Sequence, residues 1–123
     1  MFEEYESSGK HMICDFKEIK NIDLLNNINE LNNLLKDICQ KYDFQILNEV
    51  QHKFEPIGCS ILFLLSESHI SIHTFPERNH MSFDMYTCRQ YNNDNDYDNI
   101  FNYLINKLNA SRESKQLIIN RYF

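Results

Sequence analysis

Residues 64–88 read LLSESHISIHTFPERNHMSFDMYTC, and the alternation within this stretch decides the fold. After residue 68, Ile70 and Ile72 alternate with His69, Ser71 and His73. Successive side chains of a β-strand point to opposite faces of a sheet, so the pattern predicts a strand with one apolar face. A proline at position 76 ends this strand, and residues 81–87 alternate again, which predicts a second strand.

Helical periodicity appears on both sides of this stretch. Between Ile22 and Ile38 the apolar residues fall on one face of a single helix, and Asn21 or Asp23 is the expected cap at its start. A second helix is predicted at about Tyr97–Leu108. The remaining strands are predicted at His11–Phe16, Phe44–Phe54 (with an irregularity), Cys59–Leu65 and Leu117–Ile119.

The predicted order of elements is therefore β-α-β-β-β-β-α-β, which indicates an α+β fold. Two helices and a mostly antiparallel sheet are best arranged as a two-layer α/β sandwich with both helices on one face. The other face of the sheet then remains free for a partner subunit or a site. Residues 1–123 are expected to form a single domain, with residues 1–9 as a loose acidic lead.

Composition excludes several classes of partner. The net charge is −6 and the sequence has no long run of lysines or arginines, which argues against nucleic acid or an anionic membrane as a partner. The N-terminal residues lack the basic and apolar regions of a signal peptide, and the longest apolar run, at residues 61–65, is too short to cross a membrane. A cytoplasmic location is expected.

The four cysteines show neither a Cys-x-x-Cys pair nor the histidine spacing of zinc sites, so disulfides and a zinc centre are not expected. Cys14, Cys39 and Cys59 lie among apolar neighbours, which is typical of core residues. Cys88 ends a predicted strand, and the adjacent Arg89 would lower its pKa and favour an acid or nucleophile.

The polar face that contains His69 and His73 leaves a metal site open in principle. Residues four apart along a strand are about 13 Å apart, however, which is too far to share one ion. The Glu67-Ser68 pair, taken by its residue types alone, is more typical of a solvated turn.

Residues 66–77, SESHISIHTFPE, resemble the cleavage motif of the short, prokaryotic-type S-adenosylmethionine decarboxylases, which depend on a pyruvoyl group. The resemblance covers nearly the whole chain, from about Gly9 to Ile119. It includes Phe54, Pro56, Gly58, Ser60, the run from Asp84 to Cys88, and the Gly9-Lys10-His11 segment. The chain departs from the family pattern at Phe75, Ile57 and Arg89, where the family commonly has tryptophan, tyrosine and glycine.

The resemblance implies a proenzyme that cleaves itself between Glu67 and Ser68. The Ser68 hydroxyl would attack the carbonyl of Glu67, and elimination from the resulting ester would give chains 1–67 and 68–123. Ser68 would become a pyruvoyl group, which forms a Schiff base with the substrate and serves as the electron sink for decarboxylation. No metal is implied.

The resemblance also implies a role for each matched residue. His73 would accept a proton during self-processing, assisted by Ser60, and Cys88 would donate a proton during catalysis. Phe54 would stack on adenine and Glu77 would bind the ribose hydroxyls. Family members pair two protomers through their sheets, so a homodimer is expected.

The implied reaction converts S-adenosylmethionine to its decarboxylated form and CO₂ for spermidine synthesis. One alternative keeps this chemistry and changes the substrate to arginine or ornithine. Another alternative is a non-catalytic relative that regulates a partner, which predicts altered catalytic positions, although Ser68, His73 and Cys88 are all present.

Overall fold

The computed structural model describes residues 6–123, which form a six-stranded sheet with helices packed on one face. The strands are β1 (Ser7–Phe16), β2 (Ile46–Lys53), β3 (Cys59–Leu65), β4 (Ser68–Phe75), β5 (His80–Thr87) and β6 (Lys115–Tyr122). The helices are α1 (Ile22–Leu25), α2 (Ile28–Lys41) and α3 (Asn95–Leu108), and Pro76–Arg78 form a 3₁₀ turn. The predicted α+β sandwich is confirmed.

The sheet has the strand order β2-β3-β4-β5-β1-β6, and neighbouring strands pair antiparallel throughout the described residues. The sheet was predicted to be mostly antiparallel. Strands β3, β4 and β5 follow one another as hairpins, whereas β1 lies between β5 and β6. The predicted irregularity in β2 is a register shift between Ile46 and Asn48.

Two predictions at the start of the chain are wrong in part. Residues Ser7–Gly9 of the expected loose lead belong to β1, while residues 1–5 lie outside the described part of the chain. The expected single helix ends at Leu25 and restarts at Ile28. The cap of α2 is Asn27, whose side-chain oxygen accepts a hydrogen bond from the Glu30 N–H at 3.1 Å, because asparagine competes for backbone hydrogen bonds.

The core lies between the helices and the inner face of the sheet. Alternate residues of each central strand are buried there, including Ile70 and Ile72 of β4 as predicted. Cys14, Cys39 and Cys59 are buried in the same core, as the sequence predicted. Burial raises the pKa of Cys14 to about 12 and that of Cys39 to about 11, so both remain thiols at neutral pH.

The opposite, outer face of the sheet has a polar centre with apolar margins. His69, Ser71 and Asp84 belong to the centre. The exposed apolar residues of the margins are Val50, Leu62 and Leu64 on β2 and β3, and Ile13, Leu117 and Ile119 on β1 and β6. No described helix is long and apolar enough to cross a membrane.

Candidate active site

The Glu67-Ser68 bond lies in the tight turn that joins β3 to β4. Leu65 pairs with Ser68 across this hairpin, so only Ser66 and Glu67 form the turn. Glu67 has a φ of 59°, a left-handed conformation that costs a residue other than glycine about 1–2 kcal/mol. Glu67 is exposed and Ser68 is buried, so the candidate bond for cleavage joins a strained turn residue to the first residue of a rigid strand.

Cys88 lies beside this bond because of the β4–β5 register. His69 pairs with Tyr86 in antiparallel strands. Glu67, two residues before His69, therefore lies opposite Cys88, two residues after Tyr86. The Cys88 thiol donates a hydrogen bond to a carboxylate oxygen of Glu67 at 3.3 Å. Burial, this hydrogen bond and the negative charge of Glu67 raise the pKa of Cys88, whereas a hydrogen bond involving the Ser68 side chain lowers it. The net shift keeps the thiol protonated, as a proton donor requires.

The prediction that Arg89 lowers the pKa of Cys88 is therefore wrong. The guanidinium of Arg89 points away from the thiol and donates hydrogen bonds to the main-chain carbonyls of Tyr42 and Asp43. It also lies over the Phe44 ring, 4.1 Å from the ring centroid. Arg89 thus ties the segment after β5 to the end of α2, and the charge that faces the thiol belongs to Glu67.

Gly9 allows β1 to approach Cys88 closely. Its φ of 119° is rarely adopted by other residues, and a Cβ atom at this position would overlap the carbonyl oxygen of Thr87 and lie 2.7 Å from the Cα of Cys88. Beneath this contact, the hydroxyls of Thr87 and Tyr97 form a buried hydrogen bond of 2.8 Å. The contact of Tyr97 with Thr87 was not predicted, because helical periodicity indicates which residues are buried but not their partners on other elements.

A second group of predicted site residues lies at the other end of the β3–β4 hairpin. Ser60 pairs with His73 across the two strands, and the Ser60 hydroxyl lies 2.6 Å from Nδ1 of His73. Both side chains point to the outer face, and His73 is exposed. This contact agrees with the predicted cooperation of the two residues, whose catalytic roles remain a prediction.

Phe54 and Glu77 lie at the same end of the sheet. Phe54 is 46% exposed, so its ring is not part of the core. It precedes the turn that ends at Gly58, and Gly58 packs near Thr74 of β4. Glu77 is exposed in the 3₁₀ turn, and it lines a surface groove of about 570 Å³ together with Lys53 and Ile57. The groove gives this end of the molecule room for a ligand.

Within one chain the two groups do not meet. Ser68 and His73 are five residues apart on β4, which corresponds to about 17 Å along the strand, and their side chains point to opposite faces. In this structure His73 therefore does not reach the Glu67-Ser68 bond of its own chain. One end of the sheet holds Glu67, Ser68 and Cys88, and the other holds the remaining predicted site residues, Phe54, Ser60, His73 and Glu77.

Comparison with known proteins identifies the family of the chain. Residues 10–121 match the family described as S-adenosylmethionine decarboxylase. The chain belongs to the S-adenosylmethionine decarboxylase family. S-adenosylmethionine decarboxylase proenzyme 2 of Bacillus cereus is 40% identical over 85 residues, which cover 69% of this chain and 68% of that protein. The S-adenosylmethionine decarboxylase proenzyme of Thermosipho melanesiensis is 32% identical over 107 residues, which cover 87% of this chain and 79% of the relative.

The fold also agrees with a solved structure. The crystal structure of the adenosylmethionine decarboxylase from Aquifex aeolicus superposes with a TM-score of 0.81 and covers 96% of this chain and 93% of that chain. Sequence identity in this comparison is 24%, so it supports the shared fold. The described six-stranded antiparallel sheet is thus a fold found in the S-adenosylmethionine decarboxylases.

Proposed function

We propose that the protein is a self-processing decarboxylase of S-adenosylmethionine, which releases CO₂ and supplies the decarboxylated product for spermidine synthesis. The observation that carries the proposal is the position of the Cys88 thiol beside the Glu67-Ser68 bond. A proton donor next to the residue that becomes the prosthetic group is what decarboxylation requires, because the carbanion left by CO₂ must be protonated at carbon. Family membership supports the same reaction.

The residues around Ser68 fit the formation of a pyruvoyl group. The Ser68 hydroxyl is adjacent to the carbonyl that it must attack, and the left-handed conformation of Glu67 is relieved when the turn is cut. Attack converts the amide to an ester. Removal of the α-proton of residue 68 then breaks the ester, releases Glu67 as a new C-terminal carboxylate, and leaves dehydroalanine. Water hydrolyses the imine tautomer of this residue to pyruvoyl and releases ammonia. Once formed, this group supplies an electron sink during decarboxylation.

The base for this proton removal is assigned to His73 of a second copy of the chain. His73 and Ser60 form a hydrogen-bonded pair on the outer face, about 17 Å along the strand from Ser68 of the same chain. A symmetric pair whose outer faces meet with opposed strand directions brings the His73 end of each copy over the Ser68 end of the other. The exposed apolar margins of that face, with Leu62, Leu64 and Leu117, supply surface for such a homodimer to bury.

Substrate binding is assigned to the same end as His73. The exposed ring of Phe54 is available to stack on adenine, and its face also attracts the sulfonium through cation–π interaction. The exposed carboxylate of Glu77 is available for the ribose hydroxyls. Arginine and ornithine lack both adenine and ribose, so retention of these two residues favours S-adenosylmethionine as the substrate.

Two measurements test the proposal. Mass spectrometry of the denatured protein should detect a fragment that begins at residue 68 with pyruvoyl in place of serine, and Ser68→Ala should leave the chain intact. Purified cleaved protein should then release CO₂ from carboxyl-labelled S-adenosylmethionine faster than from labelled arginine or ornithine. An intact wild-type chain, or a preference for either amino acid, would contradict the proposal.

A further inference from the structure

Three metal-binding side chains from three neighbouring strands converge on the outer face of the sheet. They are His11 of β1, His69 of β4 and Asp84 of β5, and one ligand atom from each lies within 4.8 Å of the others. Nε2 of His11 is 2.7 Å from Oδ2 of Asp84, and Nε2 of His69 is 3.3 Å from the same oxygen. Two imidazoles therefore point at one carboxylate oxygen.

Sheet topology brings these residues together. Strand β5 lies between β4 and β1, and Tyr86 of β5 pairs with His69 on one side and His11 on the other. Asp84 lies two residues before Tyr86 and so projects from the same face of the sheet. The cluster joins residues far apart in sequence, whereas the strand pattern pointed only to His69 and His73 as possible ligands.

We propose that His11, His69 and Asp84 bind a divalent transition-metal ion, with Zn²⁺ as the best match. Two imidazole nitrogens and one carboxylate oxygen form a protein ligand set that zinc sites use with a fourth, open position. Ligands about 2.0–2.1 Å from a tetrahedral zinc ion lie about 3.3 Å apart. The separation of 3.3 Å between Oδ2 of Asp84 and His69 equals that value and the separation of 2.7 Å from His11 is shorter, so side-chain rotations would be needed to admit the ion.

The surroundings of Asp84 orient it for this role. The Ser71 hydroxyl donates a hydrogen bond to Oδ1 of Asp84, which leaves Oδ2 directed at the two imidazoles. Partners of this kind fix the orientation of metal ligands. In a single chain the side chains of His11, Asp84 and His69 are 20%, 27% and 45% exposed, and in the proposed homodimer the cluster would face the sheet of the second copy.

Arg121 provides a further test of the metal site, because its guanidinium contacts His11 in a way that opposes metal binding. Its guanidinium lies 3.4 Å from Nδ1 of His11 and over the Tyr86 ring. When Nε2 of a neutral histidine binds an ion, Nδ1 carries the proton and cannot accept a hydrogen bond from arginine. Metal binding therefore requires Arg121 to move away, and removal of its charge should increase affinity.

One consequence rests on the proposed function. Cleavage after Glu67 leaves His11 on the first fragment and both His69 and Asp84 on the second. A bound ion would then connect the two fragments and hold His69, the neighbour of the pyruvoyl residue, in place. Metal binding itself does not depend on cleavage, so it is tested in a chain that cannot be cleaved.

The experiment uses full-length Ser68→Ala, Cys88→Ser protein treated with a chelator and then titrated with ZnCl₂ by calorimetry. The first substitution prevents the proposed cleavage and the second removes the partly exposed thiol as a competing ligand. We expect one equivalent of Zn²⁺ per chain. His69→Gln, Asp84→Asn and His11→Gln should each weaken binding more than about tenfold, whereas Arg121→Gln should tighten it. Bound Co²⁺ should give visible absorption bands that Zn²⁺ displaces.

His80→Gln is the matched control, because it removes an imidazole from the same face outside the cluster. Binding should be unchanged in this variant. Thermal unfolding of every variant identifies any that fail to fold, and three separate ligand substitutions prevent the result from depending on one of them. Absence of saturable Zn²⁺ binding, or equal affinity in folded His69→Gln and Asp84→Asn proteins, would overturn the proposal, whatever the outcome of the decarboxylation assay.

Discussion

The Cys88 thiol donates a hydrogen bond to the Glu67 carboxylate across 3.3 Å, so the residue before the proposed cleavage point faces the proposed proton donor. This contact gives Glu67 a second role besides supplying the carbonyl that Ser68 attacks. A nearby negative charge disfavours the thiolate and keeps the proton on sulfur. Cysteines that act as nucleophiles are found in the opposite environment, beside positive charge. The geometry therefore favours an acid at position 88.

We first predict that Glu67→Gln lowers the pKa of Cys88, because the neutral amide no longer repels the thiolate. The comparison is made in Ser68→Ala protein, in which the chain stays intact, by measuring the rate of Cys88 alkylation by iodoacetamide against pH. Buried Cys14, Cys39 and Cys59 should react slowly, and peptide mass spectrometry separates their products from that of Cys88.

The direction of the change in the pKa of Cys88 follows from the negative charge of Glu67. With Glu67 present the pKa is raised, so the thiol remains protonated to higher pH and alkylation begins later. The midpoint should move to lower pH in Glu67→Gln and stay in place in Glu49→Gln, a change on the distant strand β2. Equal midpoints with and without the Glu67 carboxylate would show that burial alone sets the pKa.

A second prediction compares the two described glycines. Gly9→Ala and Gly58→Ala both place a side chain at a positive φ, which costs about 1–3 kcal/mol of stability. At Gly58 the added Cβ would be 3.4 Å from the Thr74 carbonyl oxygen, an acceptable contact, whereas at Gly9 it would overlap the Thr87 carbonyl oxygen. Denaturant unfolding should therefore show a larger loss for Gly9→Ala, and only that variant should alter Cys88 alkylation. Equal losses would contradict the close approach of β1.

The sequence predicted the fold well because its strongest signals are local. Alternation in β4 identified its buried and polar faces, and apolar surroundings identified three core cysteines. Boundaries were less accurate where tertiary hydrogen bonds decided them. The apolar pattern continues across residues 26 and 27, but the side chain of Asn26 accepts a hydrogen bond from the Gly58 N–H and that of Asn27 caps the next helix. The apolar periodicity of a segment does not reveal these hydrogen-bond partners.

The structure does not bring all of the predicted site residues together within one chain, and their catalytic roles remain predictions. Ser68 and His73 are close in sequence and lie on the same strand, β4. The rise of the strand places them far apart along it, and the pleat directs their side chains to opposite faces. The side chain of Arg89 was assigned to its neighbour in sequence, whereas its hydrogen-bond acceptors are on the α2–β2 connection. The cluster around Asp84 depends on the order of strands in the sheet, which a single strand pattern does not contain.

A third prediction concerns the buried hydrogen bond between Thr87 and Tyr97, beneath Cys88. Tyr97→Phe leaves the Thr87 hydroxyl without its partner, and Thr87→Val does the same to the tyrosine, so each should cost about 1–3 kcal/mol. The double variant should lose less than the sum of the two, because both polar groups are then absent. Chemical denaturation measures the cycle. Additive losses would indicate that the two hydroxyls do not stabilise each other.

The last prediction tests whether the site is shared between two copies. Ser68→Ala and His73→Ala chains, each expressed alone, should remain uncleaved, since one lacks the nucleophile and the other the base. Co-expressed with different affinity tags, they should form mixed pairs in which Ser68 of the His73→Ala chain meets His73 of its partner. A fragment that begins at residue 68 should then appear from the His73→Ala chain alone, in up to about half of those chains if pairing is random.

The control for this experiment is co-expression of two differently tagged His73→Ala chains, which should remain intact because no copy supplies the imidazole. Separation of the mixed pairs by their two tags, followed by mass spectrometry, identifies the chain that was cut. Cleavage in wild-type protein without cleavage in the mixed pairs would mean that each chain uses its own His73. That result would require Ser68 and His73 to approach within one chain, against the separation of about 17 Å along β4.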